Sequence, residues 1–185
     1  MRRRGWDGVG LVGGWQVTAS VCFYAVFAAT AFVRDAFGIS RTLVGLAVTT
    51  VILGYTIGLF PMGSLVDGVG ERSPMLLGLV LSGAGVLGVF LAPTYPLLLA
   101  ALFVVGAGYA TAMPATNRAV VAVAPDGHRN LAMNVKQVGV TAGSGLSALL
   151  VTGVATTRYG WRVGFLVAAV AAVVVAVAFW RLYPP

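Results

Sequence analysis

Charge is scarce in this chain: 9% of its 185 residues are Asp, Glu, Lys or Arg, against about 25% in an ordinary water-soluble domain. With 59% hydrophobic residues, that scarcity excludes a soluble globular fold and points to a membrane protein. There is one cysteine, Cys22, inside an apolar run. An intrachain disulfide framework and a thiol metal cluster are therefore excluded, and Cys22 reads as a small buried residue. The one histidine, His128, stands in a polar turn beside Asp126 and Arg129, so no metal site and no cofactor is expected. Carboxylates number five, and none falls between Ser73 and Pro125 or beyond Asp126. The net charge of +7 raises nucleic acid as a partner, but the basic residues fall singly between apolar blocks and form no stripe, which argues against it.

What the chain has in quantity is long uncharged runs. None of the residues between Asp7 and Arg34 is charged, and the span near 11–33 is long enough to cross about 30 Å of hydrocarbon. A second run, near 42–66, follows a short polar turn at Arg34, Asp35, Gly38 and Arg41. The uncharged stretch 73–117 is too long for one crossing, since a single helix would extend roughly 68 Å. Pro93-Thr94-Tyr95-Pro96 supplies the turn, giving helices near 74–92 and 97–123. Pro125 to Arg129 is the next turn, followed by helices near 130–152 and 163–182 with Arg158-Tyr159-Gly160-Trp161-Arg162 between them. Runs of this length fit helices, not the ~10-residue strands of a barrel. The expected fold is all-α, a polytopic bundle of six transmembrane helices over residues 11–182. Residues 1–10 and 183–185 form its two ends.

Basic residues collect on the cytoplasmic side of membrane proteins. An inside N-terminus places Arg2, Arg3, Arg4, Arg72, Arg129 and Arg181 on one side and Arg34, Arg41, Arg158 and Arg162 on the other. The expectation is both ends in the cytoplasm and residence in the cell (plasma or inner) membrane.

Between the second and third runs stands Gly63-Ser64-Leu65-Val66-Asp67-Gly68-Val69-Gly70-Glu71-Arg72, read as a short polar turn. It resembles the loop signature of the major facilitator superfamily of secondary transporters, roughly Gly-x-Leu-Ala-Asp-Arg-x-Gly-Arg-Arg. Gly63, Leu65, Asp67, Gly70 and Arg72 match, while Gly68 and Glu71 stand where the family usually has a cation. Arg118 late in helix four, Gly139, Gly143 and Gly145 in helix five, and Gly160-Trp161-Arg162 before helix six extend the likeness. Lys136-Gln137-x-Gly139 looks like the subgroup handling small anions and organic acids.

Gly63, Gly70 and Arg72 recur ninety positions later as Gly153, Gly160 and Arg162. Two three-helix repeats would give this echo, and an odd number of crossings between them makes the repeats inverted. Gly54 with Gly58, and Gly139 with Gly143, are pairs four apart that place a flat strip on one helix face for close packing.

Arg118 and Lys136 are ionisable groups within membrane helices, functional candidates because burial there costs at least ~2.5 kcal/mol on insertion scales. No carboxylate lies in helices three to six, so neither cation is expected to have a partner at its depth. The two would flank one cavity, with Asn117, Asn134 and Gln137 as amide donors, a set suited to a carboxylate or oxyanion.

The resemblance implies half of a twelve-helix transporter, moving a small solute by alternating access with a second six-helix bundle or a second copy. The loop of Gly63, Asp67, Gly70 and Arg72 would latch the two halves. The lipid bilayer and a small anionic solute are the expected partners. The alternative is a non-transporting membrane interaction protein or an inactive truncated half. Enzyme readings find no support: Thr141-Ala142-Gly143-Ser144-Gly145 lacks the Gly-x-Ser-Gly turn and helix-borne histidine of a rhomboid-type protease.

Overall fold

The computed structural model describes residues 5–157 and 160–183. Arg2, Arg3, Arg4, Arg158, Tyr159, Pro184 and Pro185, used above for orientation and turns, lie outside the described residues. Within the described residues the chain forms seven helices and no strand: α1 (Trp6–Phe37), α2 (Arg41–Val69), α3 (Arg72–Leu91), α4 (Tyr95–Tyr109), α5 (Ala112–Val123), α6 (Arg129–Ala155) and α7 (Arg162–Leu182). Helices α4 and α5 together make one span, so six spans are long and apolar enough to cross a membrane.

Local chemistry sets the boundaries. Helix α1 begins at Trp6, with Asp7 in its first turn where a negative charge suits the helix dipole. It ends at Gly38 in the left-handed conformation, φ 60°. The Ser40 side chain accepts from the Leu43 N–H at 3.3 Å and starts α2.

The signature stretch is not the turn that its composition suggests. Gly63 through Val69 continue α2, and only Gly70 and Glu71 separate it from α3. The helical ladder persists because the Gly70 N–H still bonds the Val66 carbonyl at 3.0 Å. Gly70, at φ 81°, then reverses the chain. Asp67 is thus an exposed residue in the last turn of α2.

The fourth span breaks at Ala110 and Thr111, where a continuous helix was expected. Pro114 has no N–H for the Ala110 carbonyl, and its ring crowds that carbonyl. Thr111 instead turns back on Gly108, its N–H at 3.4 Å and its hydroxyl at 2.9 Å from the Gly108 carbonyl.

Cross-links fix which ends meet. At one end the Gly5 N–H bonds the Val123 carbonyl at 2.8 Å, and Tyr183 bonds Glu71 at 2.9 Å. At the other, the Tyr95 hydroxyl bonds the Leu43 carbonyl and the Arg162 guanidinium lies 5.5 Å from the centre of the Phe37 ring. The spans therefore alternate in direction.

Packing follows the two-repeat expectation. Helix α1 packs chiefly on α6 and α2 on α4; α3 packs on α4, α1 on α7, and α3 on α7. Exchanging the first three spans for the last three returns the same set of pairings. The glycine pairs occupy equivalent places in it. A Cβ on Gly54 would strike the Phe103 carbonyl, and one on Gly58 would lie 3.3 Å from the Ala107 carbonyl oxygen. A Cβ on Gly139 would lie 3.2 Å from the Gly13 carbonyl oxygen, and one on Gly143 2.5 Å from that of Val17. Gly70 and Gly160 both take positive φ, 81° and 72°, just before α3 and α7. Because lipid is as apolar as leucine, close backbone approach along these strips is what holds the spans together.

Candidate functional site

A polar seam shared by α1, α4, α5 and α6 runs through the largely apolar bundle interior. Its charge is Lys136 on α6, only 4% exposed. The ammonium donates to Asn117 Oδ1 on α5 at 2.7 Å. An ammonium carries three donors, and among the described residues this is its one protein partner. On α1, the Gln16 amide nitrogen donates to Ser20 Oγ at 3.2 Å and to the Tyr109 hydroxyl at 3.4 Å. Its carbonyl oxygen accepts from Thr116 Oγ1 at 3.4 Å. Ser20 and Tyr109 are themselves 3.1 Å apart. Gln16 is therefore committed on both ends, whereas Lys136 keeps donors free.

Above this seam lies a group of rings. Phe23 stacks on Tyr109 with centroids 4.3 Å apart, Tyr24 meets Phe23 edge-on at 5.2 Å, and Tyr55 from α2 lies 5.8 Å from Phe23. A cavity of about 260 Å³ joins the two zones, lined by Lys136, Gln137 and Gln16 and by Phe23, Tyr24, Tyr55 and Tyr109, with Met113 and Val140 beside them. A larger groove of about 650 Å³ between α3 and α7 is lined wholly by apolar side chains such as Leu87 and Val173. It has no group with which to orient a polar solute.

The expected residues divide. Lys136 and Gln137 line the cavity and Asn117 holds the ammonium, while Asn134 is exposed on α6 and is absent from the lining. Arg118 does not share the cavity, and the expectation that it lacks a carboxylate is corrected. Its Nε lies 3.2 Å from Glu71 Oε2, and its Nη1 donates to the Val66 carbonyl at 3.0 Å. The physical reason is reach: Glu71 follows the last turn of α2, close enough for the half-exposed arginine in the middle of α5. Tyr183 donates to the other Glu71 oxygen, and Arg72 Nη2 donates to the Trp180 carbonyl at 2.8 Å. Burial and the Glu71 carboxylate hold the Tyr183 phenol above its ordinary range. These bonds tie the α2–α3 turn to α5 and α7. Asp67 makes no ion pair or side-chain hydrogen bond among the described residues.

Sequence reasoning missed Gln16 and the four rings. Gln16 is the one amide side chain in α1, which was the available signal; Phe23, Tyr24, Tyr55 and Tyr109 lie far apart in sequence, and only packing gathers them. Among the described residues no group of three His, Cys, Asp or Glu could hold a metal ion.

Six apolar helices long enough to cross a membrane, packed around a small cavity that one buried cation lines, define a polytopic membrane protein. The chain belongs to the Major Facilitator Superfamily, whose family model matches residues 14–185. It is 29% identical over 160 residues to the uncharacterized transporter YybO of Bacillus subtilis (strain 168), covering 86% of this chain and 36% of that protein. It is 34% identical over 160 residues to the lincomycin resistance protein of Streptomyces lincolnensis, covering 82% of this chain and 31% of that one. A bacterial homologue of the human lysosomal transporter Spinster, solved inward-facing and unoccupied, superposes with a TM-score of 0.85 at 17% identity, over 97% of this chain and 43% of that one. That likeness shows the fold. The chain spans about a third of the length of the curated relatives it matches.

Proposed function

We propose that this bundle is one wall of a secondary transporter for a small organic anion, working by alternating access with a second six-helix bundle or a second copy of itself. The observation that carries the reading is Lys136: a nearly buried ammonium, bonded to a neutral amide and facing a cavity. Holding such a charge in hydrocarbon is costly, and a carboxylate entering the cavity offsets that cost. Amide donors from Gln137 and Asn134 would complete the path, Asn134 from the uncovered face.

The partner bundle covers α2 and α6, the two least buried spans. Asp67, Gly70 and Arg72 lie at the end of the bundle where a second half would close, Asp67 with its carboxylate unpaired among the described residues. We place that end, and both termini, in the cytoplasm, and Arg118 as the bundle's inner brace beside the solute's path. At the opposite end Arg34 and Arg41 border a shallow cleft of about 220 Å³ with Thr30. Arg34 is eleven residues beyond Phe23, three turns along the same helix face, so this basic cleft lies at the outer mouth of the anion's path.

Uptake of labelled organic anions by membrane vesicles from cells expressing the protein tests the proposal. Lys136→Gln, which keeps a polar side chain of similar length, should abolish saturable uptake while the protein remains in the membrane. Saturable anion uptake that persists unchanged in this variant removes the site.

A further inference from the structure

We infer that the solute is an aromatic monocarboxylate, a flat ring joined to its carboxylate by a short spacer; this rests on the reading of Lys136 as the anion's charge partner. Two features of one cavity carry it. The cationic end has donors to spare, because Asn117 occupies one ammonium hydrogen and leaves two for the two oxygens of a carboxylate. The other end is a ring-lined box.

The spacing between them follows from helix rise. Gln16, beside the Lys136 turn of α6 through the Gly139 contact, and Phe23 are seven residues apart on α1, about 10 Å along the axis. A bare carboxylate fills only the lower part of that length. A short aliphatic acid reaches further but brings no ring to the aromatic side chains that line the upper part of the cavity. A ring on a two-carbon spacer fills both, placing its body among Phe23, Tyr24 and Tyr55, where ring-to-ring contact adds to simple apolar burial. Tyr109 is held by Ser20 and Gln16, so the floor of the box is rigid. Tyr24 and Tyr55 are only half-buried, and among the described residues the Tyr55 hydroxyl has no hydrogen-bond partner. Their side chains are the ones free to adjust around a bound ring. The cavity volume of about 260 Å³ lies below the roughly 300 Å³ at which ligand pockets usually begin. A cavity of this size suits a small, single-ring solute.

The test is a matched probe series on the purified full chain in lipid nanodiscs, with affinity read by thermophoresis and folding checked by circular dichroism. The probes are 3-phenylpropionate, propionate, 3-cyclohexylpropionate, 3-phenylpropanol and 3-phenylpropylamine. The inference expects 3-phenylpropionate to bind about tenfold or more tightly than propionate and measurably better than the cyclohexyl acid, with the alcohol weak and the amine excluded. Tyr55→Leu should bring the ratio of 3-phenylpropionate to propionate affinity down toward one; Tyr55→Phe should keep the parent's ratio. Equal affinity for propionate and 3-phenylpropionate overturns the aromatic assignment alone and leaves an anion site. Binding of the alcohol or amine as tight as that of the acid overturns the anion reading itself. A folded chain that binds none of the five overturns the aromatic assignment as well.

Discussion

The Lys136 ammonium and the Asn117 side-chain oxygen meet at 2.7 Å across the α5–α6 interface, and that bond fixes where the cavity's positive charge sits. Replacing Asn117 with Leu removes the acceptor and leaves a nearly buried cation less satisfied, which should cost about 1–3 kcal/mol. Asn117→Asp should do the opposite to the fold, giving the ammonium a carboxylate while cancelling the positive charge offered to the solute. Thermal unfolding should show the Leu variant less stable and the Asp variant at least as stable as the parent, with anion binding lost in the Asp variant. An Asp variant that binds anions normally would disprove the role given to the free charge.

At the cytoplasmic end as we assign it, Glu71 and Arg118 form a pair in which the arginine side chain is 49% exposed. An exposed pair of this kind contributes no more than about 1 kcal/mol. Glu71→Gln, whose amide oxygen can still accept from Tyr183, should therefore lower the unfolding midpoint only slightly, and less in a chain already carrying Arg118→Gln than in the parent. A double-mutant cycle measures this coupling directly; coupling near zero would mean that the contact adds nothing to the tie between α2 and α5.

The Tyr183 phenol, with its pKa held above the ordinary value of 10 by burial and then by the Glu71 bond and charge, gives a signed prediction. A raised acid binds its proton more tightly in the folded state. Its contribution to stability is fully present below about pH 10 and is lost as pH rises past that value. Unfolding midpoints recorded from about pH 8 to about pH 11 should fall more steeply for the parent than for Tyr183→Phe, which has no proton to lose.

Two glycines one half-turn apart on α6 separate packing from propensity. A Cβ at Gly143 would lie 2.5 Å from both the Ser20 Cβ and the Val17 carbonyl oxygen, whereas one at Gly145 has nothing within 4 Å. Gly143→Ala should cost about 1–3 kcal/mol through overpacking of α1 on α6. Gly145→Ala should be neutral or stabilising by up to about 1 kcal/mol through helix propensity. Size-exclusion profiles and unfolding midpoints of the two variants provide the comparison.

The six spans were legible because apolar run length is a one-dimensional signal: the break at Pro93 and Pro96 and the reversals at Gly70 and Gly160 could be read directly. The two repeats were legible for the same reason, through glycines at matching places. The break at Ala110 was missed because Pro114 acts four residues upstream and Pro61, equally internal, leaves α2 continuous. The extension of α2 through Asp67 was missed because Gly, Ser and Asp read as turn formers even where the hydrogen-bond ladder carries on. Of the site, Lys136 stood out as a charge in an apolar run, but its distance from Arg118 did not. Side-chain reach decides that pairing, and Glu71 lies within reach of Arg118 only once α2, α5 and α7 are packed. The ring box was invisible because its four members come from three helices.

The central claim is that the cavity presents uncompensated positive charge to water and solute, and thiol accessibility measures this without requiring transport. Val140→Cys, made in the chain carrying Cys22→Ser, places a thiol in the cavity wall. Its rates of reaction with an anionic and a cationic methanethiosulfonate of similar size can be compared, each normalised to a free thiol. The account predicts that the anionic reagent reacts roughly threefold or more faster, and that adding Lys136→Gln removes the preference. Equal rates in the presence of Lys136, or a faster cationic reagent, would contradict it.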